Sequence, residues 1–556
     1  MPTSSPRSYY SRNLLHSSDA FELWPLDGGA FFFLNEHLGE ATGNACLAAL
    51  LDGRLLSPWK GSAGNIDWDR AWDEPGVGPL NRPIEKHVWL NRLYFLLPLA
   101  LEFVRSRDTN MARLWARYFR KWARAHPFPT AYGHPATASK YIWFDMQVAW
   151  RLNILTHSTF LLAGSVGMTG RNGQIVRKAI MQHADLLCHE TERRLAQPYR
   201  GPQVGNHFLQ KATVLLQAGV LVPELVDAQP CCELGVRALQ RHLQHDTLAD
   251  GGNIERSPSY SHFIARLYLD ALRLLRLSGR RPPAGLARAV ARQYSFLAET
   301  AGPDGRSLQI NDAYAMDAAR DLELVRNWTT LSRTGRKSRL FAKSALATVR
   351  SDRFDVYMDA APATLYHHHN GKPNLLAFAD GFPLLIDPGN CNYDRQPWRD
   401  WYASAAAHNT VLITPEGANA PVAPDQIRLL PASDDRILTE TRCTTDSLVC
   451  LWRRRVETKG NRLIVTDRVT ANQPVTAQLI LQIGTGDVVV REASDRAEIF
   501  LGGRPVHLLT EGKPASPLMM AFRPTIDRQN QMKTTAELSR TAFGKEFTFR
   551  STFALT

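Results

Sequence analysis

Apolar side chains recur at helical spacing from about residue 85 to residue 335. Phe263, Leu267, Ala271 and Leu274, for example, follow one another at intervals of 4, 4 and 3 residues, which forms one apolar stripe along a helix. The predicted helices are 86–104, 108–125, 138–164, 170–194, 206–221, 230–244, 262–278 and 284–300. Proline and glycine residues separate them, and helices of similar length joined by short loops indicate helix pairs stacked around an axis.

The pattern changes near residue 345, where short strand-like runs replace the helical spacing. Phe547, Phe549 and Phe553 would share one face of such a strand because side chains alternate. The predicted strands are 353–358, 375–378, 383–386, 410–413, 449–456, 462–469, 477–483, 487–490 and 547–553. Turn residues recur about every 8–12 residues, which is typical of an antiparallel sandwich.

These two patterns predict an α+β chain of several domains. A wrapping segment with few periodic stretches covers residues 1–80, an all-α domain covers 81–345, and an antiparallel β domain covers 346–556. A cleft between the last two is the expected place for a ligand site.

Charge and composition narrow the class of ligand. The formal net charge of +13 favours acidic partners, such as an acidic polysaccharide, nucleic acid or anionic lipid. Lysine and arginine are spread along the chain without a block, which argues against a nucleic-acid-binding arm. The seven cysteines are scattered and form no CxxC pair, which argues against a disulfide framework and a cysteine zinc site.

The apolar runs also bear on location. No run of about 20 apolar residues is present, so no membrane span is predicted. The N-terminal stretch lacks the apolar segment of a signal peptide, so the sequence as written predicts a cytoplasmic protein. A periplasmic or secreted protein is the alternative if a leader is missing.

A polar stretch of the β half contains a possible metal-ligand set. His367 and His369 are separated by one residue, Asp387 lies between two short apolar runs, and His408 precedes Asn409. Two histidines and one aspartate are a common ligand set for zinc or a similar ion. On a strand, His367 and His369 would face the same side, so one could hold a metal while the other faces a substrate. A surface loop without metal is the alternative.

Two polar segments of the helical half lie at predicted helix starts. Asn206-His207 opens one helix, where asparagine is a favoured cap. The free backbone N–H groups at this helix start, with the Asn206 amide and the His207 imidazole, could also bind a substrate carboxylate. Tyr260 lies directly before another helix, and either its ring packs there or its hydroxyl exchanges a proton with a substrate. Arg256, His207 or a metal could supply the positive charge that a reactive phenol needs.

Together these motifs resemble the heparinase II/III-like family of polysaccharide lyases. The resemblance spans about residues 80 to 556 and rests on Asn206-His207, Ser257-Pro258-Ser259-Tyr260, His367-x-His369 with Asp387-Pro388-Gly389, and Ala407-His408-Asn409-Thr410. It implies an incomplete α/α toroid followed by an antiparallel β-sandwich. It also implies cleavage of a uronic-acid-containing polysaccharide, like a glycosaminoglycan or alginate, by β-elimination.

The resemblance assigns a role to each residue of the reaction. Asn206, helped by His207, would neutralise the uronate carboxylate, which stabilises the enolate-like transition state. Tyr260 would be the general acid, and in some substrates also the base, whereas His367 would be the partner base.

The resemblance also implies a structural divalent ion, zinc or a similar metal, bound by His369, Asp387 and His408. One departure from the family concerns this region. The family has His-x-His-x-Asp, whereas Asn370-Gly371-Lys372 follows His369 in this chain. The departure leaves open whether His367 or His368 faces the cleft, and strand alternation favours His367.

Other aromatic and arginine side chains are candidates for contacts with the sugar chain. Aromatic rings stack on sugar faces, and arginine pairs with carboxylate or sulfate. The candidates are Tyr141, Trp143, Arg151, Arg256, Trp398, Arg399 and Tyr402. For each tryptophan, packing in the core is the alternative.

Two other functions remain possible from the sequence. A glycoside hydrolase would need two carboxylates that flank the bond, and Asp145, Asp250 and Glu255 are candidates, although nothing selects a pair. A non-catalytic protein that binds an acidic polysaccharide is the third hypothesis. The oligomeric state stays open.

Overall fold

The fold is taken from a computed structural model of the chain. The described residues are 47–48, 50–57, 60–61, 65–70, 84–129, 141–198, 205–331, 337–362, 367–390, 397–490, 495–513 and 516–556. Most of the predicted wrapping segment, 1–80, therefore lies outside the described residues. Among the described residues, no helix combines the length and the apolar character that a membrane span requires.

Helices make up the first half of the described chain. They are α1 Ile84–Asn91, α2 Leu96–Ser106, α3 Thr109–Ala125, α4 Met146–Leu161, α5 Gly170–Ala196, α6 Gly205–Leu221, α7 Ala228–His245, α8 Pro258–Leu277, α9 Leu286–Thr300 and α10 Ala318–Arg326. Capping side chains fix several starts: Asp108 accepts from the backbone N–H of Asn110 at 2.8 Å, and Ser257 caps α8 before Pro258.

The helices form an incomplete α/α toroid with inner and outer members. Helices α4 and α6 are buried along almost their whole length, which identifies them as inner helices. Helix α3 instead buries one stripe that includes Trp115, Phe119 and Trp122, and its other face is polar. Helix α6 packs against α4, α7 and α8, so it lies near the centre of the helical domain.

Antiparallel strands form the second half. They are β1 Arg339–Phe341, β2 Leu346–Arg350, β3 Phe354–Asp359, β4 Asn374–Ala379, β5 Phe382–Leu385, β6 Val411–Pro415, β7 Gln426–Ser433, β8 Arg436–Thr444, β9 Val449–Lys459, β10 Arg462–Gln482, β11 Val488–Val490, β12 Arg496–Leu501, β13 Arg504–Lys513, β14 Met519–Ile526 and β15 Met532–Leu555. Helix α11, Pro397–Ala403, lies between β5 and β6.

The strands form two sheets that pack as a sandwich. One sheet has the order β1-β2-β3-β4-β5. The larger sheet has the order β11-β12-β13-β15-β10-β9-β8-β7, with β14 paired to β15 and β6 paired to β10. Buried side chains of both sheets, such as Val356 and Trp452, belong to one apolar core. The predicted order, a toroid followed by an antiparallel sandwich, is therefore confirmed.

An apolar cluster joins the helical domain to the first sheet. Phe296 of α9 and Ile310 of the following loop pack with Phe341, Tyr357 and Phe378 of the sheet. This shared core holds the sandwich against the open side of the toroid, because separating the domains would expose it to water. The polar residues of the site lie beside this interface.

The domains also approach closely at a glycine. Asp250 accepts hydrogen bonds from the backbone N–H and the hydroxyl of Ser344, at 2.7 and 2.8 Å. A Cβ atom added at Gly252 would lie 2.1 Å from the Ser344 Oγ atom, which is far inside contact distance. A side chain at this position would therefore require the Ser344 hydroxyl to turn away and give up its hydrogen bond to Asp250.

Candidate active site and metal centre

The first turn of α8 brings Tyr260 to the domain interface. Ser257 and Ser259, which flank Pro258 at the start of the helix, donate hydrogen bonds from their hydroxyls to the carbonyl of Asp312, at 2.8 and 3.3 Å. Asp312 belongs to the loop between α9 and α10, and its backbone N–H donates to the carbonyl of His367 at 3.2 Å. One loop thus ties the start of α8 to the β domain.

His367 lies against Tyr260 in the interface. The two rings stack with centroids 3.6 Å apart and planes inclined by 20°. His367 Nδ1 lies 3.2 Å from Asp312 Oδ2, and Nε2 lies 3.5 Å from Glu255 Oε2. His367 has φ = 56° and is part of a loop, so the strand alternation that favoured it over His368 is wrong. The choice of His367 nevertheless agrees with its contacts.

Asn206 lies in the first turn of α6 and is held by Glu255. Its backbone N–H donates to Glu255 Oε1 at 2.8 Å, and its Nδ2 lies 3.0 and 2.9 Å from the two carboxylate oxygens. Its Oδ1 accepts a hydrogen bond from Gln210 Nε2 at 2.9 Å. Asn206, Glu255, Tyr260 and His367, here called the cleft group, are thus connected across the two domains.

His207 lies beside the cleft group and is bound by a carboxylate. Its Nδ1 lies 2.5 Å from Asp145 Oδ2, and Lys211 binds the other oxygen at 2.7 Å. Burial opposes ionisation of Asp145, but the hydrogen bond from His207 and the charges of His207 and Lys211 lower its pKa below 3.8. The His207 side chain is 47% exposed, so it remains accessible to a ligand.

His369, Asp387 and His408 form a compact cluster, here called the buried triad. One candidate ligand atom from each lies within 4.8 Å of the others, and all three residues are buried. His369 Nε2 contacts Asp312 Oδ1 at 2.8 Å, and His408 Nδ1 contacts the Ser404 carbonyl at 2.8 Å. Among the described residues, His369 Nδ1 and His408 Nε2 have no hydrogen-bond partner.

This donor set fits a divalent ion. Outer hydrogen bonds hold each imidazole through one nitrogen, which leaves the other nitrogen with its lone pair for a metal. Burial raises the pKa of Asp387 to about 7 and lowers the pKa of His408 well below its usual range. Without a cation, the pocket therefore disfavours charge on both residues, whereas a bound zinc ion would stabilise the aspartate as a carboxylate and need the histidine neutral.

Arg399 and Lys372 surround these clusters with positive charge. Arg399 donates to Asp312 Oδ1 at 2.5 Å and to Asn390 Oδ1 at 2.6 Å, which makes it part of the framework. Lys372 is buried in an ion pair with Asp359. The pKa of His368, which lies between His367 and His369 in the sequence, is lowered to about 4. Burial is the larger cause, and the charge of Lys372 is the second.

Comparison with known families identifies the chain. The model described as the Heparinase II/III N-terminus matches residues 47–335, and the model described as Heparinase II/III-like, C-terminal matches residues 333–548. The chain belongs to the heparinase II/III family. The predicted resemblance is therefore confirmed for both domains.

Curated relatives of this heparinase II/III chain are distant. The heparin-sulfate lyase of Bacteroides stercoris is 21% identical over 388 residues, covering 63% of this chain and 56% of the relative. The heparin-sulfate lyase of Pedobacter heparinus is 23% identical over 352 residues, covering 58% and 51%. The matched region therefore spans only about half the length of these relatives.

Solved structures agree on the heparinase II/III fold. A crystal structure of heparinase III matches with a TM-score of 0.76 at 16% identity and covers 100% of this chain and 85% of that one. The heparan sulfate lyase of Pedobacter heparinus gives a TM-score of 0.59 at 17% identity, with 99% and 92% covered. At such low identity these matches establish the fold.

Two of the predicted sugar contacts are wrong, because they lie in the interior. Arg151 is 0% exposed on the inner helix α4, stacks against Trp122 and Trp143, and burial lowers its pKa to about 9. It donates to main-chain carbonyls and to His183, so it holds the toroid together. Tyr402 is also 0% exposed and packs against Ile526.

The other predicted contacts differ in exposure. Trp143 is partly buried against Phe128 and the core of the toroid, and Arg256 donates to the Lys343 carbonyl at 2.5 Å across the domain interface. Tyr141 is partly exposed and packs edge-on against Phe144. Trp398 is 51% exposed on α11, next to Arg399.

Sequence reasoning missed Asp312 and gave Glu255 and Asp145 a different role. Asp312 binds His367, His369 and Arg399, although nothing in its sequence neighbourhood marks it. Glu255 and Asp145 were considered only as hydrolase carboxylates. The signal that could have found Glu255 is its place five residues before Tyr260 in the same polar segment.

Proposed function

We propose that this protein is a polysaccharide lyase that cleaves a uronic-acid-containing polysaccharide by β-elimination. The observation that carries the proposal is the stack of Tyr260 on His367, next to the amide of Asn206. A phenol, an imidazole and an amide from two domains meet at one interface. Those are the groups that elimination beside a carboxylate requires: an acid, a base and a donor to the carboxylate.

The proposed reaction breaks two bonds at the uronate ring. His367, as base, removes the C5 proton, and the electron pair of that bond forms the C4=C5 double bond. The C4–O4 bond then breaks, and Tyr260, as acid, gives its proton to the leaving oxygen. With Asp312 accepting from Nδ1–H of His367, Nε2 is the nitrogen that carries the lone pair and takes the proton. Donors from Asn206 and His207 stabilise the charge that develops on the carboxylate.

We also propose that the buried triad binds zinc or a similar divalent ion. His369 Nδ1, His408 Nε2 and an Asp387 oxygen would hold it, because these atoms converge and the two nitrogens have no other partner among the described residues. The ion would supply positive charge that fixes the segment carrying His367. Elimination needs no activated water, so the proposed role of the ion is structural.

The proposed substrate is a glycosaminoglycan of the heparan sulfate type. The curated relatives are heparin-sulfate lyases, and the net charge of +13 favours a polyanion. The hydrolase alternative is less well supported, because its three candidate carboxylates are already engaged. Asp145 binds His207 and Lys211, Asp250 binds Ser344, and Glu255 binds Asn206.

A substrate panel tests the proposal. Heparan sulfate, hyaluronan, chondroitin and alginate are incubated with the wild type, and ultraviolet absorbance of the conjugated C4=C5 product is followed. The variant Tyr260→Phe is expected to lower kcat by about 10²–10⁴ because it removes the proton-transfer group. Tyr118→Phe, a hydroxyl deletion on α3, serves as the matched control and is expected to keep full activity.

Two results would contradict the lyase proposal. Reducing ends without the unsaturated chromophore would favour a hydrolase. Tight binding of a polymer with no turnover, unchanged by Tyr260→Phe, would favour a non-catalytic binding protein.

A further inference from the structure

Glu255 occupies the centre of the cleft group, yet it has no place in the proposed proton transfers. Its carboxylate is 2% exposed and receives the backbone N–H and the side-chain amide of Asn206. Its Oε2 also lies 3.5 Å from His367 Nε2. Burying a carboxylate costs free energy unless donors compensate it, and the hydrogen bonds from Asn206 supply that compensation.

The backbone around Glu255 is fixed on both sides. Its N–H donates to Asn253 Oδ1 at 2.8 Å, and Asn253 Nδ2 donates to the Asp246 carbonyl at 2.9 Å. The next residue, Arg256, has φ = 58°, and its carbonyl accepts from Asn311 Nδ2 at 2.9 Å. The carboxylate is therefore placed by its own loop rather than by its contact with Asn206.

The two ends of the Asn206 amide have opposite partners. Nδ2 lies against the Glu255 carboxylate, whereas Oδ1 accepts from Gln210 Nε2. A reversed amide would place an oxygen against a carboxylate, so Glu255 fixes which end is the donor. Glu255 contacts Nδ2 through the two oxygens of one carboxylate, whereas the two N–H bonds of an amide diverge. With one N–H directed at this carboxylate, the second is left for another acceptor.

We propose that Glu255 is a positioning residue that orients the Asn206 amide so that its second N–H is presented to the uronate carboxylate of the substrate. This inference rests on the proposed function and deepens it. Glu255 itself neither takes nor gives a proton. Its effect on the reaction passes through Asn206, because Asn206 is the donor that the developing charge on the substrate carboxylate needs.

A double-mutant cycle tests this role. The wild type, Glu255→Gln, Asn206→Ala and the double variant are compared for kcat and KM on the polymer that the wild type cleaves. Glu255→Gln is expected to lower kcat by about 10²-fold, since a misoriented donor is close to a lost one, and to change KM less than threefold. In the Asn206→Ala background the same change is expected to alter kcat less than twofold, because the residue through which it acts is gone.

Controls separate orientation from folding. Glu537→Gln removes another buried carboxylate, which pairs with Arg523 in the sandwich, and is expected to keep kcat. If Glu255→Gln does not fold, Gln210→Ala releases the opposite end of the same amide. It is expected to lower kcat about tenfold in the wild type and not in the Asn206→Ala background.

The outcomes also separate this inference from the proposed function. Equal losses from Glu255→Gln with and without Asn206 would overturn the positioning role while the lyase activity stands. If the wild type cleaves no polymer, the lyase proposal fails, and the same four proteins are titrated with a uronate tetrasaccharide by calorimetry. If Glu255→Gln lowers the affinity only where Asn206 is present, the positioning role is supported. If Glu255→Gln lowers it equally in the Asn206→Ala variant, the positioning role is overturned.

Discussion

The cleft group and the buried triad lie side by side and share Asp312, but they differ in what completes them. In the cleft group, protein donors and acceptors already meet: Glu255 holds Asn206, and Asp312 and Glu255 flank His367. In the triad, His369 Nδ1 and His408 Nε2 have no hydrogen-bond partner among the described residues. The protein thus orders the cleft group with its own side chains, whereas the cation that we propose would complete the neighbouring triad.

The largest expected effect comes from the residue that both clusters share. Asp312→Asn replaces one acceptor oxygen by a donor, so His367 and His369 cannot both keep their contacts. We expect kcat to fall at least 10²-fold and metal affinity to fall about 10–100-fold. Metal content and kcat are measured on the same preparation, with Asp304→Asn of the same loop as the control. A change in only one of the two properties would show that the clusters are independent.

Metal removal is expected to have the next largest effect and to separate the clusters. A chelator should lower the Tm of the wild type, because free metal at 100-fold its Kd stabilises a folded protein by about 2.7 kcal/mol. Tyr260→Phe should respond in the same way, whereas His408→Ala should not respond. Scanning calorimetry with and without zinc measures this, and equal Tm values for wild type in both conditions would argue against a structural ion.

A smaller effect is expected at the edge of the cleft. Asp145→Asn removes the acceptor that holds His207, and we expect kcat/KM to fall about tenfold, or about 1.4 kcal/mol. The pKa of Asp145 in the folded protein lies below 3.8, so the carboxylate stabilises the fold above that pH. This contribution is lost as the pH falls through the folded pKa, so the Tm values of wild type and variant should converge in acid. A constant difference across pH would contradict the assignment.

The smallest expected effect concerns the exposed aromatic ring of Trp398 on α11, next to Arg399. Trp398→Ala should raise KM for the polymer about threefold through lost stacking and leave Tm unchanged, because the side chain is 51% exposed. Val489→Ala, 54% exposed on β11, is the control. A lower Tm for Trp398→Ala would mean that the ring packs in the core instead.

The helices were predicted well because their apolar spacing is long and regular. The predictions 230–244 and 284–300 correspond to α7, Ala228–His245, and α9, Leu286–Thr300. The single helix predicted for 86–104 is two helices in the structure, α1 and α2. Leu93, with φ = 62°, separates them. No apolar period reveals a local reversal of this kind.

Several strands were missed where one face is charged. Strand β8, Arg436–Thr444, buries every second residue, but arginine, glutamate and threonine on its other face mask the run of apolar residues. Strands β7, β12, β13 and β14 were missed as well. Strands with a charged face are therefore harder to predict than the buried β10, of which two separate parts were predicted.

The residues of the site could be predicted from local motifs, but the contacts between their side chains could not. Asn206, Tyr260 and His367 were each found from residue type and local pattern. Asp312 was missed, because its role follows from the three side chains around it, which come from distant parts of the sequence. Arg151 was misassigned because α4 is buried on all sides, so spacing along the helix distinguishes no solvent face.

Because Gly252 has no side chain, the loop of the helical domain approaches Ser344 of the β domain closely. A methyl group there would displace the Ser344 hydroxyl, and the hydrogen bond from that hydroxyl to Asp250 would be lost. A substitution at Gly252 would thus weaken a contact between the two domains beside the loop that leads to Glu255 and Tyr260, although Gly252 is not part of the cleft group or the buried triad.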